Sequence, residues 1–385
     1  MKRIYLDYAA TTPTNPEVIR EMLPYFNEIF GNPSSLHYFG RQASSAVEKS
    51  RSIAAGFIGA RPEEIIFTSG GTESDNFALK GTAWANRSKG NHIITSNIEH
   101  HAVFESCIFL EENGFSVTYL PVAPNGILDP DVVKKAITKD TILISIMHAN
   151  NEIGTIQPVK EIGKIAKENS IYFHIDAVQS FGHIPLNVDD LNIDMLSASA
   201  HKLYGPKGIG LLYIRKGTRI QPFMTGGGQE KKLRASTHNV PGIVGFGKAI
   251  ELAAGKMQAE AEFQKKLRNK LINNVLENID NSKLNGDSVL RLPNNANLSI
   301  KFVEGEGIIL GLDLEGIAAS SGSACTSGSL EPSHVLKAIG RAADLARGSV
   351  RFSLGRYNTE EEIDYTIEKL TAIIKKLRKM SPLLK

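Results

Sequence analysis

The fold is decided by two stretches near the middle of the chain: Tyr172-Phe173-His174-Ile175-Asp176-Ala177-Val178-Gln179 and Asp194-Met195-Leu196-Ser197-Ala198-Ser199-Ala200-His201-Lys202. Each is an apolar run that gives way to small or polar residues, with Asp176 ending the first run and Lys202 following the second. Such runs are typical of buried parallel strands. The carboxyl ends of parallel strands lie at one edge of a sheet, so we expect Asp176 and Lys202 to be neighbours there.

Strand-like and helical patterns alternate around these runs, from about residue 15 to residue 255. Short buried strands are predicted at residues 65–68, 92–95, 116–120, 141–146, 172–176 and 209–214. Helical periodicity is found between them, for example at residues 43–58 and 159–169. The alternation predicts an α/β fold with a mostly parallel sheet covered by helices on both faces.

A different pattern follows residue 255. A charged amphipathic stretch at residues 257–279 predicts a long helix, followed by strands at residues 297–302 and 349–353. Further helices are predicted around residues 332–339 and 360–378. We therefore predict a large α/β domain over residues 15–255 and a small α+β domain made of residues 1–14 and 256–385.

Composition excludes several classes of protein. The 385 residues are 42% hydrophobic, and 44 Lys and Arg against 41 Asp and Glu give a net charge of only +3, so we expect no nucleic-acid or membrane partner. The amino terminus does not resemble a signal peptide, and a cytoplasmic location is expected. Two cysteines, Cys107 and Cys325, form neither a disulfide framework nor a metal motif, so no metal is expected. Cys107 lies in an apolar helical stretch and is predicted to be a core residue.

The pairing of a buried lysine with a buried acid is what pyridoxal phosphate chemistry requires. Lys202 would hold the aldehyde of the cofactor as a Schiff base, and Asp176 would keep the ring nitrogen protonated. The alternative is that Lys202 faces solvent and Asp176 caps the next helix. Spacing alone does not decide between these interpretations.

A possible phosphate site follows the first predicted strand, at Ser69-Gly70-Gly71-Thr72-Glu73-Ser74-Asp75-Asn76. Glycines allow close approach to a phosphate, and the amino end of a helix attracts one. A plain capping box from Thr72 to Asp75 is the alternative. Ser199 and His201 could supply further donors, and Lys207, in a Gly-Pro-Lys-Gly turn, competes with Lys202 for the aldehyde.

Further polar residues follow other strands. His100 could stack on a cofactor ring and transfer protons, or the pair His100-His101 could simply begin a helix facing water. Asn151 could bind cofactor or substrate, or form an Asn/Gly turn. Arg351 could bind a substrate carboxylate, although a structural ion pair is the better interpretation from the residues alone.

Cys325 has an unusual setting. It is the lone cysteine in Ser320-Ser321-Gly322-Ser323-Ala324-Cys325-Thr326-Ser327-Gly328-Ser329, a stretch with no packing rationale. A free thiol has a pKa of about 8.5, so some thiolate is present at neutral pH. The hypothesis is a nucleophilic thiol on a mobile arm, and the alternative is an inert cysteine in a surface turn.

Together these motifs resemble the cysteine desulfurases of the NifS/IscS type, pyridoxal phosphate enzymes of aminotransferase class V with the aspartate aminotransferase-like fold (fold type I). The matching segments span the chain: residues 5–12, 70–74, 99–103, 150–154, 174–179, 201–202, 240–245, 321–325 and 351–356. The residues that follow Cys325 resemble the long-loop subgroup.

The resemblance implies a role for each matching residue. Lys202, Cys325 and His100 would be catalytic. The implied cofactor-binding residues are Gly71, Thr72, Asn151, Asp176, Gln179, Ser199, His201, Lys202 and Thr237. Arg351 and Asn151 would bind the substrate, with Asn32 a weaker candidate. In this family the threonine that matches Thr237 completes the phosphate site of the neighbouring subunit, which implies a homodimer.

One segment departs from the family pattern. The family usually has Arg-Ser-Gly-Thr-Glu-Asn where this chain has Arg234-Ala235-Ser236-Thr237-His238-Asn239. Thr237 is kept, so the phosphate contact is expected to persist. The loss of the glycine and the change of glutamate to histidine leave the local backbone shape and the charge between subunits open.

The implied activity is conversion of L-cysteine to L-alanine, with the sulfur captured as a persulfide on Cys325. The implied partner is a scaffold protein of the IscU/NifU type that contacts the Cys325 loop, where Cys325 could also ligate a nascent cluster. Iron–sulfur assembly, a nitrogenase-specific route and tRNA thiolation remain open as destinations. The rival functions are another enzyme of this fold, such as an aminotransferase or selenocysteine lyase, and a non-catalytic sulfur carrier.

Overall fold

The structure, a computed structural model, describes residues 3–321 and 333–380. Its strands are β1 Ile4–Tyr5, β2 Ile65–Thr68, β3 His92–Ser96, β4 Ser116–Leu120, β5 Thr141–Met147, β6 Tyr172–Asp176, β7 Met195–Ser199, β8 Gly210–Ile214, β9 Ser282–Leu284, β10 Asn295–Ile300, β11 Ile317–Ala318 and β12 Ser349–Ser353.

Helices connect and cover these strands. They are α1 Pro16–Met22, α2 Pro24–Asn27, α3 Tyr38–Ile58, α4 Gly71–Asn76, α5 Thr82–Asn86, α6 His101–Glu112, α7 Pro130–Ala136, α8 Val159–Glu168, α9 Val240–Asn278, α10 Gly305–Leu314, α11 His334–Ala338, α12 Ala343–Arg347 and α13 Glu360–Met380. A π-helical turn, Phe77–Gly81, joins α4 to α5.

The large sheet has the strand order β2-β8-β7-β6-β5-β3-β4. Strands β4, β3, β5, β6 and β7 are parallel, whereas β8 runs antiparallel to both β7 and β2. Because β6 and β7 are parallel neighbours, their carboxyl ends lie side by side, as the sequence predicts. The predicted mostly parallel α/β fold is confirmed.

Apolar side chains pack on both faces of this sheet. One cluster joins the sheet to α3 and α9 through residues such as Val47 and Phe246. The other includes Phe77 and Cys107, so the prediction that Cys107 is a core residue is confirmed. Burial raises the pKa of the Cys107 thiol, which keeps it protonated and inert at neutral pH.

A second, three-stranded sheet with the order β12-β10-β9 packs into its own apolar cluster, which includes Ile4 and Leu6. Strand β1 pairs with β11. The amino-terminal segment therefore contributes to this smaller core. We keep the division into residues 15–255 and residues 1–14 with 256–385 as a proposal.

Helix α9 begins earlier than the sequence predicts, at Val240 instead of residue 257. Its first part packs tightly against the neighbouring helices at glycines. A Cβ atom on Gly245 would lie 2.6 Å from Met22 Sδ, and one on Gly247 would lie 2.9 Å from Ser50 Cβ. Glycine is a poor helix former in isolation, so helix contacts that the sequence does not show stabilise this part of α9.

Within residues 3–321 and 333–380, no helix combines the length and the apolar character that crossing a lipid bilayer requires.

The segment that departs from the family pattern has a strained backbone at Ser236. Its φ is 136°, in the region that favours glycine, and its side chain is exposed. The fold has therefore kept a glycine-type conformation with a serine in its place. Such a residue costs on the order of 1–3 kcal/mol.

Ser236→Gly should consequently stabilise the protein by about 1 kcal/mol, because relief of the strain exceeds the entropy that glycine loses on folding. The measurement is thermal unfolding of the two variants Ser236→Gly and Ser236→Ala, since alanine removes the hydroxyl but keeps the Cβ atom. A glycine variant no more stable than the alanine variant would contradict the presence of strain.

Candidate active site

Asp176 ends β6 in a buried position, with 6% of its surface exposed. Its Oδ1 accepts a hydrogen bond from the Val178 N–H at 2.8 Å. Burial raises the pKa of Asp176, and the Val178 hydrogen bond and the nearby Lys202 charge oppose that rise. A positive charge placed next to this buried carboxylate would therefore strongly stabilise its ionised form.

Lys202 lies in the short helical turn that follows β7. Its Nζ donates to the carbonyl oxygens of Ala9 at 2.5 Å and Ala10 at 2.8 Å. Gln179 Nε2 donates to the same Ala9 oxygen at 3.0 Å. The structure therefore brings Lys202 and Gln179 together under the amino-terminal segment.

Lys207, the competing lysine, is exposed. It lines a cavity of about 380 Å³ together with the glycine turn and the end of β7: Thr11, Ser69, Gly70, Gly71, Thr72, Glu73, Ser199, His201 and Gly208. At this position the Lys207 ammonium group is solvated and could attract a phosphate in the cavity. The lysine whose charge acts on Asp176 is Lys202.

The glycine turn is shaped by close backbone approach. A Cβ atom on Gly210 of β8 would lie 2.7 Å from Gly70 Cα, and one on Gly71 would lie 2.5 Å from Val178 Cγ2. Helix α4 begins at Gly71, and its N-cap residue is Gly70, which has no side chain to accept a hydrogen bond from the first turn. The capping-box alternative is therefore wrong, because Thr72 lies inside the helix and is not its N-cap.

Ser199 and His201 lie on the other side of this cavity. Ser199 is buried at the end of β7, and His201 Nδ1 is 3.1 Å from Thr11 Oγ1. Burial, followed by the charges of Lys202 and Lys207, lowers the pKa of His201 to about 4. An uncharged imidazole and a hydroxyl can both donate hydrogen bonds to a phosphate.

His100 forms the N-cap of α6, where its Nδ1 accepts from the Ala102 N–H at 3.1 Å. The ring is half-buried, and His100 begins this helix as one of the two interpretations expects. Burial, then the charges of Lys202 and His101, lower the pKa of His100 to about 4. The imidazole is therefore neutral at pH 7, and its hydrogen is on Nε2 because Nδ1 is an acceptor.

Glu99, next to His100, was not singled out from the sequence. Its Oε1 accepts from Ser96 Oγ at 2.5 Å and from the Met147 N–H at 3.1 Å. Burial raises the pKa of Glu99 to about 8, against the effect of these hydrogen bonds. This carboxyl group is consequently mostly protonated at neutral pH. Only its place before His100, at the end of a strand, could have indicated it.

Arg351 lies in the middle of β12 with 3% of its surface exposed. Its Nη2 donates to Asp7 Oδ1 at 2.9 Å and its Nη1 to the Asn151 carbonyl at 3.0 Å. Its Nε has no hydrogen-bond partner among the residues that the structure describes. Both interpretations of Arg351 thus have support, since it forms an ion pair and also keeps an unused donor.

Asn151 is half-buried in the turn that supplies this carbonyl oxygen. Two residues of the predicted site are placed elsewhere. Asn32 is exposed, and its Oδ1 accepts from the Ser34 N–H at 3.0 Å. Thr237 is exposed as well. Neither lines the cavity beside the glycine turn, so a single chain does not bring them to it.

Cys325 lies outside the described residues. The described residues on both sides of it contact the site. Ser320 exchanges backbone hydrogen bonds with Arg351, at 2.6 and 3.1 Å. His334 Nε2 donates to the Glu99 carbonyl at 2.9 Å, and Ser333 Oγ donates to Glu152 at 2.5 Å.

The residues present fit pyridoxal phosphate. The glycine turn leaves a cavity of about 380 Å³ beside Ser199 and His201, large enough for a phosphate group. Asp176 supplies a buried carboxylate for a protonated ring nitrogen, and Lys202 supplies an amine within reach of the Ala9 carbonyl. These residues would hold the cofactor at its phosphate, its ring nitrogen and its aldehyde carbon.

Comparison with known proteins agrees with this geometry. The aminotransferase class-V family matches residues 4–366. Cysteine desulfurase IscS of Dictyoglomus turgidum is 60% identical over 383 residues, which cover 99% of this chain and 97% of that protein. The structure of a NifS-like protein is similar with a TM-score of 0.91 at 40% identity, over 97% of this chain and 100% of that one. A structure of SspA in complex with cysteine is similar with a TM-score of 0.82 at 41% identity, over 93% and 100%.

The matches cover almost the whole chain, and the family predicted from the sequence motifs is confirmed. This chain belongs to the aminotransferase class-V family and is a pyridoxal phosphate-dependent cysteine desulfurase of the NifS/IscS type.

Proposed function

We propose that Lys202, Asp176 and His100 form the catalytic centre and that Cys325 receives the sulfur of L-cysteine. One observation carries this assignment. Lys202 and Gln179 meet on the Ala9 carbonyl, at 2.5 and 3.0 Å, where the Lys202 charge also acts on Asp176 and His100. Mixing the purified protein with L-cysteine should yield alanine, and an absence of alanine would contradict the proposal.

Each cofactor-binding residue has a role that its position supports. Pyridoxal phosphate, when bound, withdraws electrons from the α-carbon of the substrate and so weakens the bonds around it. The Asp176 carboxylate keeps the proton on the ring nitrogen, and Gln179 donates to the phenolic oxygen. Gly71, Thr72, Ser199 and His201 hold the phosphate, and Asn151 lies on the substrate side of the cofactor.

His100 transfers protons in this proposal. Its neutral ring lies close enough to Lys202 for the lysine charge to lower its pKa. The ring transfers a proton by taking one up as the imidazolium and returning it, because loss of the Nε2 hydrogen from the neutral ring would leave an imidazolate. Before it takes up a proton, Nδ1 accepts from the Ala102 N–H. The helix cap thus sets the orientation of the ring that stacks on the cofactor.

The sulfur step involves the thiolate of Cys325. This thiolate attacks the sulfur of the bound substrate, and an S–S bond forms as the C–S bond of the substrate breaks. The electron pair of the broken bond stays on the substrate carbon, which then gains a proton. The products are L-alanine and a persulfide on Cys325, so the step needs no outside oxidant or reductant.

Arg351 binds the substrate carboxylate in this proposal, with Asn151 beside it. The guanidinium is held by Asp7 and by the Asn151 carbonyl, and it keeps an unused Nε donor. A buried arginine held rigidly in this way is well suited to a carboxylate. Asn32 stays a weaker substrate-binding proposal, which would require its approach from a partner subunit.

A homodimer would explain the positions of Thr237 and of an exposed apolar surface. That surface, between residues 23 and 39, contains the exposed side chains Leu23, Phe26, Phe30, Leu36, Tyr38 and Phe39. Leu36 is 91% exposed, and the rings of Phe30 and Phe39 stack on each other. A patch of this kind is typical of a protein interface. We propose that it is covered by a second copy, whose Thr237 completes the phosphate site.

The persulfide must then pass to an acceptor. We propose a scaffold protein of the IscU/NifU type that contacts the residues around Cys325, for iron–sulfur cluster assembly or another sulfur delivery route. Cys325 itself could ligate a nascent cluster in that complex, since a thiolate is a good ligand for iron.

Lys202→Ala should abolish the visible absorbance of the lysine-bound cofactor and lower turnover by at least about 1000-fold, because no amine remains to hold the aldehyde. Absorption spectra of the purified variant measure this. Lys207→Ala is the matched control and should keep the visible absorbance. An unchanged spectrum in Lys202→Ala would assign the cofactor to another lysine.

Cys325→Ser should bind L-cysteine, seen as a change in the cofactor spectrum, but should release no sulfide, because serine cannot form a persulfide. Alanine and sulfide are assayed together in the presence of a thiol reductant. Cys107→Ala, which changes only the buried thiol, should retain turnover. Normal sulfide release by Cys325→Ser would refute the assignment of the nucleophile.

Arg351→Ala should raise the KM for L-cysteine by roughly 10- to 100-fold, the range expected for loss of a charged hydrogen bond to a carboxylate. Asp7→Asn removes the charge of the ion-pair partner, but its amide oxygen can still accept from Arg351 Nη2 and hold the guanidinium, so KM should change by less than about threefold. Steady-state kinetics of both variants distinguish the roles. Equal KM values in Arg351→Ala and the wild type would leave Arg351 as a structural ion pair.

A further inference from the structure

Strand β2, which leads into the phosphate turn, lies at an edge of the large sheet. It pairs with β8 on one side only, so the outward backbone groups of alternate residues need other partners. Arg51 Nη1 donates to the Ile65 carbonyl at 2.7 Å, and the Phe67 N–H donates to Glu230 Oε2 at 2.9 Å. A side-chain pair thus replaces the missing neighbouring strand.

That pair is buried and bidentate. Arg51 Nη1 and Nη2 donate to the two Glu230 oxygens at 2.8 and 2.7 Å, and both residues are at most 6% exposed. Arg51 lies in α3. Glu230 lies in residues 226–239, which we call the 226–239 segment. The carboxylate therefore fixes this segment to the edge of β2.

His238 adds a third contact to the same carboxylate. Its Nε2 donates to Glu230 Oε1 at 2.8 Å. His238 is the residue that replaces the usual glutamate of the family and directly follows Thr237. A glutamate could not donate to Glu230, so the histidine provides a link that the family pattern lacks. The bond thus gives a structural reason for the change of glutamate to histidine at position 238, which accompanies the change of glycine to serine at position 236.

The 226–239 segment is also tied to the phosphate turn itself. Arg234 Nε and Nη2 donate to Glu73 at 2.8 and 3.1 Å, and the Ser69 N–H donates to the same carboxylate at 2.8 Å. Glu73 is adjacent to Thr72 in α4. The segment is thus joined to the strand before the turn and to the helix after it.

We propose that Glu230, through Arg51 and His238, is a positioning residue for the cofactor phosphate. It fixes the end of β2, and so the Ser69–Thr72 turn, and it fixes the backbone that presents Thr237. The second part rests on the proposed function, in which Thr237 completes the phosphate site of a partner subunit. One carboxylate would then hold the phosphate donors of both sites in register.

The test compares cofactor retention in holoenzyme variants. His238→Ala and Glu230→Gln should lose pyridoxal phosphate on dilution at least about tenfold faster than the wild type, because the phosphate donors are less well held. The loss is followed by visible absorbance. The ³¹P resonance of the bound cofactor should shift in both variants, since it reports the surroundings of the phosphate. His238→Gln, which can still donate to Glu230, should remain within about threefold of the wild type.

The matched control is Arg215→Met. Arg215 also donates both to an acid, Asp189, and to backbone carbonyl oxygens, those of Ile193 and Val188. It follows the carboxyl end of β8, at the ends of the strands opposite to the phosphate turn. This variant should lower the melting temperature without changing the release rate or the ³¹P resonance. Release as fast in Arg215→Met as in His238→Ala would reduce Glu230 to a general structural role and overturn the proposal.

A double-mutant cycle tests whether His238 acts through Thr237. In a Thr237→Val background, His238→Ala should cause less than about twofold further acceleration of release. Full additivity would overturn that part of the proposal. If Glu230→Gln does not fold, His238→Ala, at a partly exposed side chain, provides the same measurement. Wild-type alanine formation is measured in parallel. An active wild type with unchanged release in His238→Ala refutes this inference alone, whereas an inactive wild type refutes the proposed function.

Discussion

The register between β6 and β7 is the constraint on which the site depends. Asp176 pairs with Ser197, so the acid at the end of one strand lies beside the strand that leads to Lys202. The Ala177 N–H then donates to the Ser197 carbonyl at 3.0 Å and extends this pairing past the acid. Because side chains alternate between the faces of a sheet, a slip of one residue would turn Asp176 away from the lysine. Burial of both strands prevents such a slip.

The amino-terminal segment joins the two sheets through the site. Asp7 pairs with Arg351 of the small sheet, while the carbonyl of Ala9 accepts from Lys202 and Gln179, which follow β7 and β6 of the large sheet. Thr11 reaches His201 beside the phosphate turn. The substrate-binding arginine and the cofactor-binding lysine are therefore held by the same few residues. This arrangement gives a physical reason for the polar residues Asp7 and Thr11 in the amino-terminal segment.

The sequence allowed prediction of the residues that follow strands, because a strand end places its next side chains at a known edge of the sheet. Asp176, Lys202, the glycine turn and His100 belong to this class. Contacts between residues far apart in the chain were not predictable. Asp7 and Arg351 are separated by 344 positions, and Arg51 and Glu230 by 179. The early start of α9 also depends on helix packing, and the strain at Ser236 depends on a backbone angle that composition does not reveal.

In the proposed site Lys202, beside Asp176, carries the cofactor. The most direct measurement is reduction of the holoenzyme with borohydride, followed by proteolysis and mass spectrometry of the peptide that carries the pyridoxyl group. We expect the label on Lys202, with Lys207 unmodified in the same peptide. A label on Lys207, or on a lysine outside this peptide, would contradict it.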